Sequence, residues 1–205
     1  MKVRVFVEGG GSKSVNSTCR RGFRRFLEEA GIDGRMLEIV PCGSRTDAFE
    51  DFKTDLAEKE VVAFLLVDAE RPVRAQAKRP KPWQHLKEAP DNWSRPKAAT
   101  DHQCHLMVQV MESWFLADPD ALKTFYGRDF REGSLPANRR IEQIPKQDVE
   151  RGLKHATRVT TKGDYYDSKG SHSFAILAEL DPATVRCKSR YADRFLSELE
   201  RRSQE

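Results

Sequence analysis

Carboxylates stand at the ends of three apolar runs in this chain. Residues 3–7 lead into Glu8 and then Gly9-Gly10-Gly11, residues 61–67 lead into Asp68-Ala69-Glu70, and residues 105–111 lead into Glu112. In an open α/β sheet the carboxyl ends of parallel strands converge on one crevice, and ligands bind there. Acids gathered in that way repel one another unless a cation lies between them, and hard divalent ions such as Mg2+ or Mn2+ take oxygen ligands of this kind. Asp68 and Glu70 are two apart, so in extended backbone both side chains point the same way and can reach one ion. The expected chemistry is metal-dependent work on phosphates.

Other constellations carry less. Glu8-Gly9-Gly10-Gly11-Ser12-Lys13-Ser14 has the look of a phosphate loop. A Walker motif, however, needs Gly directly before the Lys and another Gly five positions before that; Ser12 and Val7 stand there. What remains is a glycine turn between a strand and a helix N-terminus, whose amides can hold a phosphate oxygen or simply the Glu8 carboxylate. Glu112 lies among apolar neighbours and would be costly to bury without a cation or donors. Asp118 follows six residues later, about 240° around a helix, and its place before Pro119 suits a helix N-cap as well as a metal ligand. His102, Cys104 and His105 match no structural zinc spacing, and no Gly-x-Ser-x-Gly elbow occurs. Lys162 and Lys169 share a polar stretch with Tyr165, Tyr166 and His172. Either lysine could stabilise charge on a phosphoryl group, and either could be an ordinary surface lysine.

The elements that must position these residues follow from periodicity. Strands are expected at 3–8, 37–40, 61–67 and 104–110. Helices are expected around Phe23–Ala30, over 46–59, in a stretch holding Trp114, Phe115 and Leu116, from Asp118 onward, and near 147–156, 174–180 and 191–199. The β-α-β-α-β order predicts an α/β fold with a mostly parallel central sheet flanked by helices. From Arg71 to Asp101 five prolines interrupt any period, which predicts an irregular excursion. Residues 71–103 hold eight Lys or Arg against three acids, while the rest of the chain holds 28 against 29. The basic excess is therefore local, and Lys78, Arg79, Lys81, Trp83 and Arg95 combine cations with aromatics as a nucleic-acid backbone and a stacked base require. A solvated loop pinned by its tryptophans fits the same residues. The 205 residues suit one domain with a helical part at 119–205. Four scattered cysteines, no room for a signal peptide before the first strand and no span-length apolar run lead to the expectation of a cytoplasmic protein without membrane contact.

The segments Val7-Glu8-Gly9, Leu66-Val67-Asp68-Ala69-Glu70 and Met111-Glu112-Ser113-Trp114-Phe115-Leu116-Ala117-Asp118 resemble those of TOPRIM-type proteins. Within that group the chain is similar to small stand-alone bacterial TOPRIM-like proteins related to overcoming-lysogenization-defect nucleases. The resemblance implies a Mg2+- or Mn2+-dependent nuclease acting on DNA. It makes Glu8 a general acid/base or metal ligand, Asp68 and Glu70 ligands, and Glu112 the completion of the cluster, with Asp118 beside it. A late lysine, Lys162 or Lys169, is also implied, as is an ATPase partner in an antiviral defence system. Glu70 stands where the general TOPRIM pattern has Asp, which keeps an oxygen ligand but changes its reach. Two other readings compete: a non-catalytic subunit that binds an ATPase, and a small-molecule phosphohydrolase or nucleotidyl transferase.

Overall fold

The computed structural model describes residues 2–58, 60–73, 80–88, 90–138 and 140–203. Four parallel strands make one sheet: β1 (Lys2–Val7), β2 (Leu37–Pro41), β3 (Val61–Asp68) and β4 (Cys104–Met107), in the order β2-β1-β3-β4. In register, Val5 lies between Ile39 and Phe64, and Asp68 lies opposite Met107. The helices are α1 (Lys13–Glu29), α2 (Arg45–Asp55), α3 (Pro82–Lys87), α4 (Glu112–Phe115), α5 (Pro119–Tyr126), α6 (Lys146–Thr157), α7 (Lys169–Leu177), α8 (Pro182–Lys188) and α9 (Arg190–Ser203). This is the α/β class that the alternation predicts.

Both faces of the sheet are covered, which is why the central strand β3 reads as a continuous apolar run, while Arg4 of β1 and Glu38 of β2 pair with each other at the less covered end. Val5, Val7, Phe64 and Leu66 face a core completed by Phe23, Phe26 and Leu27 of α1 and by the later helices. Phe6, Leu65 and Val67 face the other core, with Phe49 and Phe52 of α2 and Trp83 and Leu86 of α3. Trp114 is fully buried and stacks on Phe26 with centroids 5.5 Å apart. The chain leaves β1 outward to β2, then returns past β1 to β3. The crevice beyond the ends of β1 and β3 is therefore the topological switch point, where ligands of open α/β sheets bind.

Gly22 couples this core to the crevice. A Cβ there would lie 2.3 Å from the Phe174 carbonyl oxygen, so only glycine lets α7 approach α1 this closely. That contact holds the first turn of α7, with Lys169 and Ser173, over the ends of β1 and β3.

Three expectations need correction. The apolar run 104–110 is a strand only to Met107; the buried Val108, Val110 and Met111 belong to a turn, after which Glu112 starts the short helix that holds Trp114 and Phe115, as expected. The excursion is not wholly irregular, since it contains α3. Nor is Trp83 a free stacking platform: it is buried against Phe49 and Phe52, and its indole N–H donates to the Thr100 carbonyl at 3.0 Å. Trp93 stacks on Phe49 at 4.5 Å, so both tryptophans pin the excursion to α2. No helix among the described residues is long and apolar enough to cross a membrane.

Candidate metal centre

The glycine turn is the first positioning device. Gly9 and Gly10 have φ of +109° and +126°, values that side-chain-bearing residues rarely adopt. Gly9 exchanges hydrogen bonds with Gly43 (2.9 and 3.2 Å), which ties the end of β1 to the end of β2. Ser12 caps α1 by accepting from the Val15 N–H. Glu8 is thereby fixed at the mouth of the crevice with α1 starting beside it.

Asp68 enters from β3, and its Oδ1 accepts the buried Met111 N–H at 2.7 Å. The ladder runs on past the strand, with Ala69 N–H donating to the Met107 carbonyl and Glu70 N–H to the Gln109 carbonyl, each at 2.8 Å. Glu70 itself sits at φ +63°, a conformation unusual for glutamate and one that carries local strain. One carboxylate oxygen from each of Glu8, Asp68 and Glu70 lies within 4.8 Å of the other two. Among the described residues no other three His, Cys, Asp or Glu side chains gather in this way.

The electrostatics are those of an anion cluster short of positive charge. Burial pushes the Asp68 carboxyl well above the usual carboxylate range, and Glu8, Glu112 and Glu70 push it further. Burial also raises Glu8, while its hydrogen bond with Asp68 and the Arg45 guanidinium pull it back. Both shifts favour the protonated form, and that of Asp68 is the larger. Arg45 Nε lies 3.1 Å from Glu8 Oε2 without the alignment of a hydrogen bond, and that oxygen is buried with no hydrogen-bond partner. Arg45 also pairs with Asp91 at 2.8 Å and lies over the Trp93 ring.

Two lysines flank the cluster. Lys146, the first residue of α6, places Nζ 2.5 Å from Glu70 Oε2, and Gln109 braces both partners by accepting the Lys146 backbone N–H. Lys169, the first residue of α7, places Nζ 2.8 Å from Oε1 of the buried Glu112, which also accepts the Tyr165 hydroxyl at 2.8 Å. Burial alone would lower the pKa of Lys169, but Glu112 outweighs it and the net shift is upward. Burial, then Glu112, hold Tyr165 protonated as a donor. Glu8, Asp68, Glu112, Lys169, Ser173 and Phe174 line one pocket of about 320 Å³.

The remaining sequence candidates divide cleanly. Asp118 is not part of the cluster: its two oxygens cap α5 (from Ala121 N–H, 3.1 Å) and accept the Asp181 N–H (2.9 Å), so both are used structurally. Lys162 lies over the Phe125 ring at 4.1 Å, and the pocket takes Lys169. Arg95 is exposed and paired with Asp101, Lys81 is exposed just before α3, and Lys78 and Arg79 lie outside the described residues. His105 is buried between Phe64 and Phe195, bonded to the His102 carbonyl and Arg194, which is a core histidine's environment. Arg45, Lys146 and Ser173 have no signal in the sequence beyond their types.

The cluster fits a divalent cation. Three hard oxygen donors converge, burial and the neighbouring acids oppose ionisation of Asp68, and a buried Glu8 oxygen lacks a hydrogen-bond partner. Glu8, Asp68 and Glu70 are the residues that would hold the ion, with Lys146 giving up Glu70 to it. No curated protein and no solved structure matches the chain. Residues 7–200 match the model of one protein family, whose description names no activity; with nearly the whole length covered, the chain belongs to the family described as a domain of unknown function, DUF4276.

Proposed function

We propose that this protein is a divalent-metal-dependent nuclease that hydrolyses phosphodiester bonds on a TOPRIM-like sheet. The observation that carries the reading is the convergence of Glu8, Asp68 and Glu70 at the switch point, with Lys169 and Glu112 facing them across one pocket. A bound Mg2+ or Mn2+ would supply positive charge to the phosphate oxygens and acidify water. Asp68 and Glu70 serve as ligands. Glu8, at the mouth of the same crevice, would take a proton from the attacking water. Lys169 adds charge stabilisation on the opposite wall, where Glu112 and Tyr165 fix its ammonium. Arg45 partly offsets the effect of burial on Glu8 and lies beside its carboxylate. The TOPRIM resemblance extends this reading to a defence effector that works with an ATPase.

A second reading, a small-molecule phosphohydrolase, is favoured by the partly walled pocket under Phe174. One experiment separates the two. Purified protein is incubated with Mn2+ and either supercoiled plasmid or free nucleotides, beside Glu8→Ala and Asp68→Ala variants. The expected outcome is plasmid nicking that falls at least about 100-fold in both variants, because several kcal/mol of charge stabilisation leave with the ion. Phosphate release from free nucleotides with intact plasmid would replace the nuclease reading with the second. Nicking that survives in both variants would place the activity elsewhere.

A further inference from the structure

The basic excursion expected to grip nucleic acid spends much of its described part on internal contacts, and a different basic surface lies open. A groove of about 530 Å³ runs between α1 and the edge strand β2, lined by Ser17, Arg20, Arg21 and Arg24 on one side and by residues 37–40 on the other. The α1 sequence carries Lys13, Arg20, Arg21, Arg24 and Arg25 against Glu28 and Glu29 only. Arg20 and Arg21 are exposed and form no ion pair among the described residues. Arg24 is held in place by donating to the Gly34 carbonyl at 2.7 Å. The one acid in the groove, Glu38, is already neutralised by Arg4 at 2.9 Å.

The groove and the acidic pocket lie on two sides of the start of α1. Val15 lines the pocket and Ser17 the groove, about 200° apart around the helix, with Gly10 packed against Asn16 and Pro41 at the divide that a strand passing from one to the other crosses. From Val15 to Arg24 the helix rises about 13 Å, and Arg20 and Arg24 stand one turn, about 6 Å, apart. We propose that a single nucleic-acid strand leaving the acidic pocket lies in the α1–β2 groove, with successive phosphates on Arg20, Arg21 and Arg24. The proposal rests on the phosphodiester reading of the pocket. Guanidinium groups suit phosphate oxygens through their fork of donors. An acidic peptide pairing with β2 is the less suited occupant. The strand is five residues long and ends in Pro41, which has no N–H to offer such a partner.

The test is fluorescence anisotropy of a labelled oligothymidine with the full-length protein, in EDTA so that no cleavage occurs. Wild type is compared with Arg20→Gln/Arg21→Gln over a salt series, with thermal melts to show that both fold. The double variant is expected to bind roughly ten-fold more weakly, with a salt slope smaller by about 1.4, two single-strand phosphates' worth. Unchanged affinity and slope would overturn the proposal. So would a poly-glutamate peptide that binds wild type while the oligonucleotide does not, since the groove would then serve an acidic protein segment. Binding and cleavage fail separately. Arginine-dependent binding without Mn2+-dependent nicking upholds the groove and sinks the nuclease reading. Nicking with arginine-independent binding does the reverse.

Discussion

The Asp68→Asn protein is expected to melt higher than wild type in metal-free buffer at neutral pH, by about 1–2 kcal/mol or roughly 2–8 °C for a chain of this size. Asn keeps the oxygen that accepts the Met111 N–H and removes a carboxyl whose ionisation burial and three neighbouring acids oppose. The sign follows from the direction of the shift. A carboxyl whose folded pKa is raised contributes most at acidic pH, and its contribution is lost as pH rises from the ordinary carboxylate range through the raised value. The gap between Asp68→Asn and wild type therefore widens as pH rises across that window. Mn2+ reverses the ranking: it stabilises wild type by mass action, while the variant has lost the central ligand. Melting curves with EDTA and with Mn2+, over a pH series, read both effects. A variant that melts lower than wild type in EDTA at neutral pH would mean that Asp68 is a structural carboxylate and not a strained ligand.

Lys169→Met is the second large effect, and it separates stability from chemistry. Glu112 is nearly inaccessible and relies on Lys169 and Tyr165 for its hydrogen bonds. Removing one partner of a fully buried pair costs about 3–5 kcal/mol. The Lys169 side chain is 47% exposed, so solvent replaces part of what is lost; about 1–2 kcal/mol is expected once that screening is discounted. The double variant Glu112→Gln/Lys169→Met removes the stranded charge and is expected to regain most of that stability. Nicking should fall about 10²–10³-fold in the single variant, as for loss of a preorganised charge at the reacting group, and should stay low in the double. Activity that returned together with stability would reduce Lys169 to a structural partner of Glu112.

The strand ends were the legible part of the site. Asp68 follows a continuous apolar run and Glu8 a short apolar one broken only by Arg4, and a strand covered by helices ends where the sheet ends, so their meeting at one crevice is written in the pattern. Glu70 reaches the cluster by another route: two residues on from Asp68 in extended chain it would point the same way, and its left-handed backbone departs from that geometry while its carboxylate still joins the other two. Asp118-Pro119 carries an N-cap signal, and Asp118 is used as a cap. The same signal at Asp181-Pro182 starts α8, which periodicity alone passes over because the helix has only seven residues.

What stayed hidden depends on tertiary direction. Arg45 and Lys146 are the first residues of their helices, 37 and 76 positions from the acids they meet. No local spacing states where a helix start will point. Lys162 and Lys169 were indistinguishable in a polar stretch until the Gly22 contact set the position of α7. The tryptophans misled for a related reason. Cations interleaved with aromatics describe a stacking surface and a pinned loop equally well, and burial against α2 decides for the loop. The run 104–110 likewise could not reveal that its second half is a buried turn, since apolarity reports burial and not backbone direction.

The most direct test of the central claim is calorimetric titration of Mn2+ into the full-length protein, repeated in two buffers of different ionisation enthalpy. A cation seated among Glu8, Asp68 and Glu70 favours the ionised form of an Asp68 carboxyl whose burial opposes ionisation, so saturable binding with proton release that grows as pH falls is expected. Asp68→Asn should abolish the binding signal. Absence of saturable binding by wild type, or binding of equal strength and proton count in Asp68→Asn, would contradict the account.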